Sequence, residues 1–145
     1  MTSIMSIFKA LEGKWNFHRT ISNYGIIEGA ATFKKSAIEP HLLHYREEGV
    51  LKREDGEHFQ VYRDYLYRYK NDRISVFFAE KTERLFHVLE FRDATTAVAR
   101  HICSSDVYDA TYKFRLEDEF ELSYRVKGPK KDYSITTLFT RQLKD

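Results

Sequence analysis

From Trp15 onward, apolar and polar residues alternate in runs broken about every 8 to 12 residues by clusters of Gly, Asn, Asp and Ser. A period of two marks a strand with one buried face. The breaks at Ser22-Asn23-Tyr24-Gly25, Glu54-Asp55-Gly56, Asn71-Asp72, Ser104-Ser105 and Gly128-Pro129 read as hairpin turns. The pattern predicts strands near 14–22, 26–36, 41–53, 57–70, 73–80, 84–91, 95–103, 106–116, 120–127 and 133–142. Ahead of them, Ile4, Ile7, Phe8 and Leu11 recur at helical spacing behind Ser3, an N-cap residue, and Gly13 suits the left-handed residue that ends a helix. The expected architecture is all-β: one domain over 1–145, a closed antiparallel up-and-down barrel of about ten strands after a short N-terminal helix. Closure is expected because it removes the unpaired edges that so many strands would otherwise leave.

Residues facing each other in a hairpin point to the same side of the sheet, so loop length sets which positions meet. On the third and fourth strands the apolar sets Leu43, Tyr45, Gly49, Leu51 and Phe59, Val61, Tyr65, Tyr67 are all odd-numbered. A three-residue loop Glu54-Asp55-Gly56, with glycine in the bulge position, keeps odd opposite odd and sets Glu47 against Arg63 inside the barrel. On the first hairpin Trp15, Phe17 and Ile21 turn inward, and Arg19 is expected opposite Gly29, whose missing side chain leaves room for a long one. On the eighth strand Tyr108, Ala110, Tyr112, Phe114 and Leu116 face in, and a Ser104-Ser105 turn sets His101 against Tyr108 and Cys103 against Asp106.

Composition narrows the function without naming it. The 145 residues carry 42% hydrophobic and 32% charged side chains, which excludes disorder, and the 15% aromatic share suits strands. With 24 basic residues interleaved among 22 acidic ones, for a net charge of +2, no basic stripe forms and nucleic acid is not an expected partner. No apolar run reaches the roughly 18 residues of a membrane span, so no membrane partner is expected. The single cysteine, Cys103, cannot form an intramolecular disulfide, and no secretory leader is evident, which fits the cytoplasm. Cys103 itself reads as a buried, inert thiol, and Gly128-Pro129-Lys130-Lys131-Asp132-Tyr133 as a solvated hairpin loop.

Gly13-Lys14-Trp15 at the first strand, with Arg141 on the last, resembles the lipocalin closure, in which the arginine caps the tryptophan ring by a cation–π stack. The wider set Trp15-x-Phe17-x-Arg19, Tyr45-x-Glu47-x-Gly49, Arg63-x-Tyr65, Phe86-His87, His101-x-Cys103-x-x-Asp106-x-Tyr108 and Val126-x-Gly128-Pro129-x-Lys131-Asp132-Tyr133 is similar to an uncharacterised bacterial lipocalin-like (calycin-type) domain family. That resemblance implies the barrel fold and supplies no activity. One departure from secreted lipocalins and fatty-acid-binding proteins is a tight first hairpin turn in place of a long or helical lid.

Function has to be argued from the inward polar residues. Arg19, Glu47 and Arg63 form one group: an arginine cannot shed its proton, and two arginines facing one glutamate point either to a structural ion-pair network with water or to an anion site. Tyr45, Tyr65 and Tyr124 add polar-tipped rings, so the expected ligand is a small, anionic and partly aromatic molecule. His101, Tyr108 and Asp106 suggest acid–base chemistry, and the inward tyrosines, arginines and glutamate offer an analogy in residue type to phenolic acid decarboxylases. Their bland counterpart is a core histidine hydrogen-bonded to a tyrosine. His87 or His101 as a haem ligand, as in nitrobindin-type barrels, is a third reading. The leading expectation is a cofactor-free, metal-free binding barrel, monomeric or homodimeric, and more a carrier than an enzyme.

Overall fold

A computed structural model describes residues 3–80 and 83–142. Helix α1 (Ile4–Leu11) starts at Ser3, whose hydroxyl accepts from the Ser6 amide while the Ser6 hydroxyl accepts from the Ser3 amide. Its apolar stripe Ile7, Phe8 and Leu11 is buried. Past the helix, Gly13 takes φ +127°, and a Cβ there would meet the Arg141 guanidinium at 2.8 Å. Glycine is thus required both by the backbone and by the closure.

Ten strands follow: β1 Gly13–Ile21, β2 Gly25–Lys35, β3 Leu42–Arg53, β4 His58–Lys70, β5 Arg73–Phe78, β6 Arg84–Phe91, β7 Thr96–Cys103, β8 Asp106–Leu116, β9 Glu119–Gly128 and β10 Lys131–Arg141. Each end lies within about two residues of its expected place, because Gly, Asn and Asp turns leave little room for slippage. Neighbours in sequence pair antiparallel, and β1 closes on β10 from Trp15↔Arg141 to Ile21↔Ile135. The result is the closed up-and-down barrel. No helix among the described residues is long and apolar enough to cross a membrane.

Most expected registers hold. Glu54-Asp55-Gly56 closes the β3–β4 hairpin with Gly56 at φ +90°, and Glu47 faces Arg63 as Tyr45 faces Tyr65. The Ser104-Ser105 turn sets His101 against Tyr108 and Cys103 against Asp106. The first hairpin differs: Arg19 faces Ile27, and Gly29 faces Phe17. The three-residue turn Ser22-Asn23-Tyr24, with Asn23 at φ +57°, pairs Ile21 with Gly25 and so shifts every partner by two. Gly29 serves the other side of its strand, since a Cβ there would lie 2.0 Å from the Glu48 carbonyl oxygen. It admits the backbone of β3, not the side chain of Arg19.

One end of the barrel is sealed. Trp15 is buried, its indole N–H donates to the Leu11 carbonyl at 2.9 Å, and the Arg141 guanidinium sits 4.2 Å above the ring. Arg141 also donates to the carbonyls of Ala10, Glu12 and Glu117, tying α1 to the last strand. The opposite end, where the β3–β4 and β7–β8 hairpin loops lie, is open as far as the described residues go. Here β4 outruns its neighbour: β5 pairs only with Tyr65–Lys70, which leaves His58–Asp64 unpaired on that side among the described residues. Phe59 and Arg63 keep the inward parity of Tyr65 and Tyr67, yet stand about two-fifths exposed at the mouth, the Phe59 residue at 44% and the Arg63 side chain at 43%. Cys103 ends β7 at the same rim and is exposed, which corrects the expectation of a buried thiol. The Leu116 side chain lies outside the described residues.

Candidate functional site

Alternation along β1, β3, β4 and β10 delivers Arg19, Glu47, Arg63 and Thr137 to the upper interior. Arg19 grips Glu47 with both terminal nitrogens, at 2.7 and 2.9 Å, and its Nε–H donates to Thr137 Oγ1 at 2.8 Å. The Tyr45 hydroxyl donates to Glu47 Oε1 at 2.6 Å, and the Arg19 guanidinium lies 4.8 Å from the Phe17 ring centroid. Burial alone would push Arg19 down and Glu47 up; the hydrogen bonds and charges they share win, so Arg19 is raised and Glu47 lowered. Burial beside the Glu47 carboxylate pushes the Tyr45 hydroxyl well above its ordinary value. Both oxygens of Glu47 are therefore engaged, and the carboxylate is held ionised. It is built to position and neutralise rather than to take a proton from a substrate.

Arg63 is the remaining charge. Its Nε stands 3.7 Å from Glu47 Oε2, longer than a hydrogen bond, while the bidentate contact belongs to Arg19. One net positive charge is thus left on the inward face, and it sits where water reaches it. Arg19, Tyr45, Glu47, Arg63, Tyr65 and Tyr124 all line one cavity, together with Phe86. That cavity is small: about 20 Å³, room for about one water molecule. Packed rings fill most of the interior.

The remaining candidates lie elsewhere. His87 is buried below the cavity, with Nε2 2.7 Å from the Tyr112 hydroxyl and Nδ1 unpartnered among the described residues. Burial, helped by the nearby His101, lowers its pKa to about 3 and keeps it neutral. With the free volume near one water, no porphyrin fits beside it. His101 donates its Nδ1–H to the Phe86 carbonyl at 2.9 Å, the only sense that a carbonyl acceptor permits, which leaves Nε2 as the bare ring nitrogen. No group of three His, Cys, Asp or Glu side chains gathers for a metal ion among the described residues.

The expected His101–Tyr108–Asp106 relay is not assembled. Tyr108 and His101 face each other with ring centroids 6.0 Å apart, but the Tyr108 hydroxyl accepts from Lys131 Nζ at 2.9 Å, and Lys131 pairs with Asp106 at 3.0 Å. Gly128 makes this possible, since a Cβ on it would collide with the Asp106 carboxylate at 1.9 Å. Pro129 and Lys130 form the exposed turn that the sequence suggested; Lys131 does not belong to the solvent alone. The sequence reading missed Thr137, Lys131 and Phe86. For the first two the missed signal was parity: Thr137 lies between Ile135 and Phe139, and Lys131 shares the face of Tyr133.

These features define a lipocalin-like barrel, closed by an arginine over a tryptophan at one end and charged at the other. The chain belongs to the family of unknown function DUF6314, whose profile matches residues 11–141. No curated protein matches it. Among solved structures, the S-type phycobiliprotein lyase CPES from Guillardia theta is similar in fold, with a TM-score of 0.71 at 10% identity, over 99% of this chain and 95% of that one. A redesigned β-barrel, mFAP1, bound to DFHBI, is 13% identical over 92% of this chain and 97% of its own, with a TM-score of 0.48.

Proposed function

We propose that this barrel binds a small, anionic and partly aromatic molecule at the upper end of its interior. Arg63 carries the reading: a guanidinium on the inward face, beside Tyr65 and Tyr124, that shares Glu47 at 3.7 Å with the bidentate Arg19 and so leaves the group with one positive charge in excess. Arg19 is neutralised by Glu47 and sets the floor of the site, so the acid of the ligand meets Arg63 and its ring meets the tyrosines. Glu47 is locked in its pair and the His101–Tyr108–Asp106 relay is absent, which favours carriage over catalysis. The reading assigns the barrel to the cytoplasm, where the exposed Cys103 thiol stays reduced.

The test is calorimetry with benzoate and with its neutral amide, benzamide. Arg63→Met is expected to weaken benzoate at least tenfold and to leave benzamide unchanged. Equal loss for both probes would make packing, not charge, the role of Arg63 and would overturn the acidic ligand.

A further inference from the structure

Strand β6 delivers two consecutive side chains to the interior. Its register against β5 shifts between Val76 and Phe77: Val76 faces His87 and Phe77 faces Leu85, so Phe86 is the extra residue of a bulge. Bulges re-aim side chains. Here His87 is buried and Phe86 lines the charged cavity. The Phe86 ring stacks on Tyr65 at 5.4 Å with the planes 7° apart, and lies 6.3 Å from Tyr124 at 26°. An apolar ring thus occupies the ground beside a guanidinium and two polar-tipped rings.

The strand that carries Phe86 is the least tied part of the wall. Among the described residues β6 keeps register with β7 only at Glu90↔Val98 and Phe91↔Ala97. Nearer the mouth, the Phe86 carbonyl is held by the His101 imidazole instead of a strand amide. On its β7 side, moving Phe86 therefore breaks one side-chain hydrogen bond rather than a run of ladder bonds, while the β5 side keeps its pairing from Arg84 to Leu89.

We infer that Phe86 holds the place of the ligand's ring: a planar, single-ring aromatic carboxylate displaces the Phe86 side chain, stacks on Tyr65 and sets its carboxylate against Arg63. This rests on the reading of the barrel as a site for an aromatic anion and adds where the ring goes and how large it is. Exchanging one six-membered ring for another conserves packed volume, whereas the present cavity of about 20 Å³ admits no ring at all. Affinity in the native protein is reduced by the fraction of molecules in which Phe86 has moved aside.

The experiment uses benzoate, benzamide and cyclohexanecarboxylate on the full chain. In the benzoate-saturated native protein, nuclear Overhauser contacts between Phe86 and Tyr65 are expected to vanish and contacts between benzoate and Tyr65 to replace them. Phe86→Ala is expected to bind benzoate at least tenfold more tightly than the native chain, or to bind it when the native chain does not. Phe86→Leu serves if the alanine variant fails to fold. The variant should bind benzoate more tightly than benzamide and more tightly than the non-planar cyclohexanecarboxylate. Persistence of the Phe86–Tyr65 contact in the saturated complex would overturn the inference, as would equal affinity of the variant for all three probes, the mark of a plain cavity. Benzoate bound by neither the native chain nor the variants would instead overturn the aromatic-anion reading itself.

Discussion

The two ends of the barrel are made from the same strands with the same inward parity, yet they bury opposite chemistry. At the sealed end Trp15, Phe33, Phe120 and Phe139 pack ring on ring, with Phe120 and Phe139 stacked at 4.3 Å, and α1 buries Ile7, Phe8 and Leu11 in the same core. At the open end Arg19, Glu47 and Arg63 take the same kind of inward position. What separates them is the wall: β1 pairs fully with β2 and β10 around the sealed end, whereas β4 stands without β5 over His58–Asp64. Where the wall is complete, inward means dry, and only apolar groups or a fully bonded pair are tolerated. Where it is incomplete, an inward arginine keeps contact with water and stays free to meet a ligand.

Perturbing the sealed end should give the largest effect. Trp15→Ala is expected to lower stability by about 3–5 kcal/mol, the range for deleting a large buried aromatic, measured by chemical denaturation. A loss below about 1 kcal/mol would show that the closure contributes no more than an exposed contact. At the boundary between the ends, Glu47→Gln should cost about 3 kcal/mol, because it strands a buried guanidinium. Adding Arg19→Met to it should recover most of that loss. A double variant as unstable as the single one would mean that the pair holds the fold together beyond its own charges.

Acid should strain the same boundary through His87. The unfolded imidazole takes a proton near its ordinary 6.5, whereas the folded one, desolvated, resists until about 3. The unfolded state thus binds more protons in that window, and stability must fall as pH drops from about 6.5 towards 4, by up to about 3 kcal/mol. Glu47, lowered from 4.5, adds its share only further down, as protonation of the carboxylate breaks the pair with Arg19. His87→Gln should flatten the profile above pH 4.5 and leave the steeper acid limb. A native chain with a flat profile there would mean that the imidazole is hydrated. The smallest effect belongs to the rim: Cys103→Ser should change stability by no more than about 0.5 kcal/mol, and the native thiol should react with a disulfide reagent without denaturant. A thiol that reacts only after unfolding would show that the end of β7 is covered.

Alternation and turn chemistry carried the strand order, the helix cap and the facing of Glu47 with Arg63, because each depends on neighbours in the chain or on one loop length, while the Trp15–Arg141 closure was implied by the family resemblance. The inward face of Arg19 was legible from parity for the same reason, while its partner was not, since the Asn23 turn shifts the register and Gly29 answers to the β3 backbone. Parity says which side a residue takes and nothing about how far the wall extends at that height. The exposure of Arg63 and Cys103, the filling of the interior by rings, the bulge at Phe86 and the capture of Tyr108 by Lys131 all depend on groups brought together from separate strands. Those were decided only in three dimensions, where strand lengths, pairing gaps and side-chain volumes act together on residues that no local pattern connects.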